Sequence, residues 1–108
     1  MKYSKDLVIR SQEIVKQVKE AERLNKPIDN LVREQIAIME CQKDEFVKQA
    51  DNLGFDDLGK ARVEIGIYSN IKFWAQKIGL PVDKYDSKIK ELRIKNLGAE
   101  FVKENFGD

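Results

Sequence analysis

Helix-breaking residues divide this 108-residue chain at four points: Pro27, Gly54, Gly79-Leu80-Pro81 and Gly98. Between these points apolar residues recur at alternating spacings of four and three, which places them on one face of an α-helix. Each break falls where the apolar repeat stops, and proline and glycine are residues that commonly end helices. No stretch of useful length shows the two-residue alternation of a β-strand. The sequence therefore predicts an all-α fold.

The segments predict an antiparallel bundle of about four helices with a short C-terminal tail. The predicted helices lie at about residues 5–25, 30–53, 57–78 and 84–97. The short connection around Pro27 should join the first two helices as an antiparallel hairpin. Their apolar stripes are wider than a two-stranded seam needs, so both should contact further helices. We therefore expect one helical domain over residues 1–98 and an acidic-aromatic tail at 99–108.

Residue types that cap helix N-termini stand at the predicted helix starts. These residues are Ser4 for the first helix, Asp29 for the second, Asp56 or Asp57 for the third and Asp83 for the fourth. The tail, by contrast, is too short to stand alone. Its apolar residues Phe101, Val102 and Phe106 would therefore have to dock onto the bundle.

The third predicted helix is apolar around most of its circumference, whereas the first two carry single stripes. A helix of this kind is usually buried among others. Trp74 should therefore lie in the core, together with Ile71 and Ile78 on the same side of the helix. The residues expected to anchor the core are Ile36, Met39, Phe46, Ile65, Ile71, Trp74, Ile78, Ile89 and Leu92.

Most catalytic and metal-binding chemistry requires residues that this chain lacks. It has no histidine, a single cysteine and no phosphate-cradling glycine loop. Nucleophile–histidine pairs and histidine-containing metal sites are therefore excluded. Cys41 lies near Glu40, Asp44 and Glu45, whose charges disfavour the reactive thiolate. We predict that the protein is not an enzyme, has no catalytic or metal-binding residues and uses no cofactor.

The composition indicates a heavily solvated surface, because charged residues make up 36% of the chain, above the usual share of about 25%. No apolar run approaches the ~18 residues of a membrane span, and the N-terminal segment lacks the apolar core of a signal peptide. One cysteine cannot form an internal disulfide, which agrees with a reducing compartment. We therefore expect a cytoplasmic protein with no membrane partner.

Charge is unevenly distributed along the chain. Residues 69–97 carry seven Lys or Arg against three acidic residues, whereas residues 27–68 carry five against nine. Blocks of opposite charge can attract one another within one fold or bind a charged partner. Small charged helical bundles without recognisable chemistry mostly work through their surfaces. The leading prediction is a regulatory or inhibitory protein that binds another protein, whose identity the sequence does not reveal.

The outer side of the fourth helix is the predicted partner-binding face. Its residues are Lys84, Lys88, Glu91 and Lys95. A third possible class of function is that of the bacteriocin-immunity proteins. The chain resembles these helical bundles in size and architecture alone.

The stretch from Ile71 to Tyr85 resembles the helix-turn-helix pattern of DNA-binding domains. Ala75 would let two helices approach, Gly79 would supply the turn, and Tyr85 would pack inward from the second helix. The resemblance implies an alternative function, a DNA-binding regulator that uses residues 71–96. Its nucleic-acid-binding residues would be Lys72, Lys77, Lys84 and Lys88.

The DNA-binding alternative makes two structural demands. Ser69-Asn70 should break the third helical stretch, and residues 5–53 should serve as a dimerisation hairpin. The seam at 32–53 is long and regular enough to pair between chains, so the sequence favours a homodimer slightly over a monomer. Lys88 departs from the DNA-binding pattern, because it stands where an apolar residue is wanted.

Overall fold

The computed structural model describes residues 3–107, and every regular element in that range is an α-helix. Helices make up 83% of the structure. The five helices are α1 Lys5–Arg23, α2 Asp29–Asn52, α3 Asp57–Lys77, α4 Asp83–Leu97 and α5 Ala99–Phe106. The all-α prediction is confirmed, but the predicted number of helices is one short, because the tail is helical. Residues 1 and 2 of the predicted domain and Asp108 of the predicted tail lie outside the described residues.

A predicted N-cap forms at two of the four helix starts. The side-chain oxygens of Ser4 and Asp56 each accept a hydrogen bond from the backbone N–H three residues later, at 3.3 and 2.7 Å. The cap predictions for Asp29 and Asp83 are wrong, because each is the first residue of its helix and follows an apolar cap residue. Of the two candidates for α3, Asp56 is the cap and Asp57 is the first residue of the helix. A carboxylate in the first turn still stabilises the helix through the helix dipole.

Helices α2 and α3 run antiparallel to each other. Near the turn that joins them, Lys60 Nζ lies 3.0 Å from Asp51 Oδ1. Farther along the pair, Lys43 Nζ of α2 donates a hydrogen bond to Tyr68 Oη of α3 at 3.2 Å. Positions farther along α3 therefore contact positions nearer the start of α2.

Helix α4 returns along α3 and also reaches α2. Next to the α3–α4 turn, Lys72 of α3 pairs with Asp86 of α4. On its other side α4 contacts α2, where Tyr85 Oη donates a hydrogen bond to Glu40 Oε1 at 2.6 Å. The three central helices therefore pack as a unit, and each helix of the chain packs against the next.

Helix α1 is attached to this unit by apolar packing and by charge. Ile14 and Val18 are buried in the shared core. The Arg10 guanidinium donates two hydrogen bonds of 2.7 Å to the Glu34 carboxylate of α2. Such a forked pair fixes orientation as well as distance, so it sets how α1 lies across α2.

Helix α5 follows Gly98, whose φ of +88° turns the chain sharply after α4. Its Val102 is 3% exposed, whereas Phe101 and Phe106 are 49% and 50% exposed. The guanidinium carbon of Arg93 on α4 lies 4.0 Å from the centre of the Phe106 ring. Only one of the three apolar tail residues is therefore fully docked.

The nine expected core residues are not all equally buried. Ile36, Met39, Ile71, Trp74 and Ile89 are buried. The remaining four, Phe46, Ile65, Ile78 and Leu92, are half-buried. The α2 seam stops short of its predicted end, because Leu53 follows the last turn of α2 and is 76% exposed.

The molecule is flat, with principal extents of 46 × 32 × 19 Å. A helix with its side chains is about 10 Å across, so the short dimension corresponds to about two layers. Helix α3 is consequently not enclosed, although its apolar circumference predicts that it would be. Phe73 is 56% exposed, and Leu58 and Ile65 are half-buried.

The seam on which the homodimer prediction rests is filled within one chain. Val32, Ile36, Met39 and Ala50 of α2 are all buried in the single chain. Pairing between chains would need another surface, and the oligomeric state stays a prediction.

Adjacent aromatic residues on α3 test the packing directly. Trp74 is 8% exposed and Phe73 is 56% exposed. We expect Trp74→Ala to lower the free energy of unfolding by about 3–5 kcal/mol, and Phe73→Ala to lower it by about 1 kcal/mol or less. Urea unfolding followed by circular dichroism measures both. Equal losses for the two variants would contradict the packing described for α3.

Candidate functional site

An open cleft runs between α3 and α4 and is closed at one side by α5. Its volume is about 430 Å³. Most of its lining is apolar, and the apolar residues are Leu58, Ala61, Ile65, Leu92, Leu97, Phe101 and Phe106. The cleft is one part of the α3 surface that the flat fold leaves uncovered.

Residue spacing explains how the two long helices build this cleft. On α3, Leu58, Ala61 and Ile65 follow the spacing of one helix face, so their side chains form a ridge. On α4, Leu92 and Asn96 are four residues apart and form the facing ridge. Asn96 Nδ2 donates a hydrogen bond to the Leu92 carbonyl at 2.8 Å, which turns this polar side chain back onto its own helix.

Small residues keep the floor of the cleft low. Gly66 lines the cleft on α3, and a Cβ built there meets no atom within 4 Å. Ala61, which precedes Gly66 on α3, is 5% exposed, and its methyl side chain projects little into the cleft. The space beside Gly66 is therefore open to a partner side chain.

Two arginines, Arg62 of α3 and Arg93 of α4, line the cleft beside its apolar residues. Within residues 3–107 neither guanidinium has a carboxylate oxygen within 4.0 Å. Arg93 instead lies over the ring of Phe106. The cleft therefore combines apolar contact area with two positive charges that the described part of the fold does not neutralise.

A separate polar cluster lies between α2, α3 and α4. Tyr85 Oη donates to Glu40 Oε1 at 2.6 Å, and Lys84 Nζ lies 3.7 Å from the same carboxylate oxygen. The rings of Tyr68 and Tyr85 lie 6.0 Å apart. Lys43 Nζ, which donates to Tyr68, is half-buried and lies 3.3 Å from Asp44. These polar groups contact one another across α2, α3 and α4, so the cluster acts as a bridge between the helices.

The four predicted partner-binding residues lie at the surface of α4. Lys84, Lys88, Glu91 and Lys95 are all exposed. Lys84 also lies 5.1 Å over the ring of Tyr85, which ties its stem to the polar cluster. The four do not form the cleft, which opens on the side of α4 that carries Arg93 and Leu97.

The residues predicted for DNA binding lie on α3 and α4. Lys72 pairs with Asp86, and Lys77 lies 3.5 Å from Glu22 of α1. Helix α3 continues through Ser69-Asn70 without the break that the helix-turn-helix pattern requires. Two of the four lysines are thus engaged within the fold, which lends the DNA-binding alternative no support.

The part of the chain that the structure describes contains no group of three or more Asp, Glu or Cys side chains placed to hold a metal ion. Cys41 is half-buried on α2. Across the same residues, no helix is both long enough and apolar enough to span a bilayer.

Sequence reasoning identified the charged face of α4 but missed the cleft. One signal was present, because α3 carries apolar residues around more of its circumference than a short chain can cover. The contribution of Phe101 and Phe106 could not be seen, since it depends on where α5 docks.

Comparison with protein-family models, with curated protein sequences and with solved structures returns no match for this chain.

Tyr85 makes the polar cluster testable through pH. Burial raises the pKa of its phenol, and the hydrogen bond to Glu40 adds to the rise. The neutral phenol is thus favoured in the folded state. Its stabilising contribution is complete below the unfolded pKa of about 10 and is lost as pH rises above that value towards the folded pKa.

We therefore expect the free energy of unfolding to fall more steeply above pH ~10 in the wild-type protein than in Tyr85→Phe, which has no phenol to ionise. Urea unfolding at intervals between about pH 8 and about pH 11 provides both profiles. The two proteins differ in no other ionisable group, so the difference between their profiles reports on Tyr85. Parallel profiles would contradict the role given to Tyr85.

Proposed function

We propose that this chain is a small non-enzymatic regulatory or inhibitory protein that acts by binding another protein through a helical surface. The observation that carries the proposal is the apolar cleft, with the half-exposed rings of Phe101 and Phe106 at its edge. Contiguous exposed apolar surface beside charged residues is typical of interaction sites. We place the binding surface at this cleft between α3, α4 and α5.

The chemistry of the lining supports contact rather than catalysis. Apart from Arg62, Arg93 and Asn96, the side chains that line the cleft are apolar, or absent in the case of Gly66. Aromatic residues and arginine are enriched among the residues that dominate protein–protein affinity. Phe101 and Phe106 bring large rings with few rotatable bonds, so ordering them on binding costs little conformational entropy.

The charged face of α4 has a secondary role in this proposal. Lys84, Lys88, Glu91 and Lys95 are exposed, and exposed ion pairs usually contribute at most about 1 kcal/mol each. Charges at the rim of an interface mainly change the rate of association. We therefore assign these four residues to the approach of the partner and the cleft to its retention.

Photo-cross-linking in the native host tests the proposal. Phe101 at the cleft edge is replaced by p-benzoylphenylalanine, and the matched control carries the same group at Phe73, which is similarly exposed on α3 but outside the cleft. We expect Phe101 to give a discrete adduct with a second protein, and Phe73 not to give that adduct. The adduct should persist, at a lower rate, in Lys84→Glu with Lys88→Glu.

Three outcomes would reject the proposed site. The first is the absence of any adduct from Phe101, and the second is the same set of adducts from both positions. The third is an adduct that contains only two copies of this chain, since the cleft would then be a homodimer interface.

A further inference from the structure

The cleft has the form of a seat for one more helix. Two antiparallel helices present facing ridges, with Leu58, Ala61 and Ile65 on one side and Leu92 on the other. The ridges of a third helix pack into the groove between such ridges, and helix-in-groove binding is a common mode of peptide recognition. Gly66 and Ala61 let the backbone of that helix come close.

We propose that the cleft binds an amphipathic helix of another protein, whose apolar stripe fills the groove and whose flanking carboxylates pair with Arg62 and Arg93. This inference rests on the proposed function and specifies its partner. The apolar lining selects the stripe, and the two arginines select the sign of the charge beside it.

The two arginines of the cleft have no ion-pair role within the described part of the fold. On α3 the other three cations, Lys60, Lys72 and Lys77, each lie within 4.0 Å of a carboxylate oxygen. Arg62 and Arg93 have none within residues 3–107. A guanidinium presents a planar fork that matches a carboxylate, and stacking on Phe106 holds the guanidinium of Arg93 at the cleft. Charge complementarity therefore favours an acidic helix.

A second copy of this chain does not supply such a helix. Away from the cleft, large exposed apolar side chains within residues 3–107 are scattered over the molecule. They are Ile9, Leu24, Leu53, Phe55, Phe73 and Ile94, and no two of them lie on the same helix. The described part of the chain thus has no unused apolar stripe to offer to the cleft of another copy.

Gly66 allows the cleft to be blocked without damage to the fold. It lies inside α3, and a side chain placed there meets open space. Glycine is a poor residue for a helix interior, so Gly66→Glu, Gly66→Lys and Gly66→Ala should each keep or raise the unfolding midpoint. The Glu and Lys variants are similar in length and opposite in charge, which separates charge from obstruction.

The probe is a displayed library of amphipathic helices that share one apolar stripe and vary between Glu, Gln and Lys at the flanking positions. Selection on the full wild-type chain should enrich Glu at those positions. The selected peptide should bind Gly66→Glu about 10-fold more weakly than Gly66→Lys, the ratio expected from one or two ion pairs at a partly exposed site. Arg62→Gln with Arg93→Gln should remove the preference for Glu.

Enrichment of Lys, enrichment without any preference for charge, or no enriched helix would overturn the inference. Equal binding to Gly66→Glu and Gly66→Lys would also overturn it. A partner cross-linked through Phe101, together with no preference for acidic helices, leaves the proposed function standing and rejects the acidic helix. Acidic helices enriched on the cleft, with no partner cross-linked in the host, reject the function and leave the binding chemistry standing.

Discussion

The packing of α3 between α2 and α4 is the interaction on which the rest of the structure depends. Ile71 and Ala75 of α3 are fully enclosed there, and Trp74 is nearly so. Burying one large apolar side chain contributes about 1.5–3 kcal/mol, and a whole domain has a net stability of only about 5–15 kcal/mol. A few α3 side chains are therefore a large fraction of the total. Helices α1 and α5 attach to a unit that α3 already holds together.

The same helix connects stability to the proposed function. Helix α3 has apolar residues on most of its sides, but a fold only 19 Å thick cannot cover all of them. Leu58 and Ile65 remain half-buried, and α5 adds Phe101 and Phe106 beside them without closing the gap. Part of the apolar surface that folding leaves exposed thus lies in one cleft, where a partner helix can cover it.

The sequence predicted the helices better than their arrangement, because helix formation depends on local patterns. The four long helices end within two residues of their expected bounds, and the residues expected in the core are buried or half-buried. Helix α5 was missed because eight residues are too few to form a stable helix alone, and it depends on the docking of Val102. The cleft was missed for the same reason, since the positions of Phe101 and Arg62 relative to each other are set by tertiary packing. Leu53 was misplaced because the apolar repeat continues one residue beyond the last turn of α2.

The central claim is that α3 packs fully against α2 and α4 on one side and leaves an open apolar cleft on the other. Methyl NMR with a soluble paramagnetic agent measures this directly, because the agent relaxes only methyl groups that solvent can approach. We expect strong relaxation at Leu58, Ile65 and Leu97, and little at Ile14, Ile38 and Ile71, which are 0% exposed. Equal protection of both sets of methyl groups, at every protein concentration, would show that the chain fills the cleft itself and would contradict the claim.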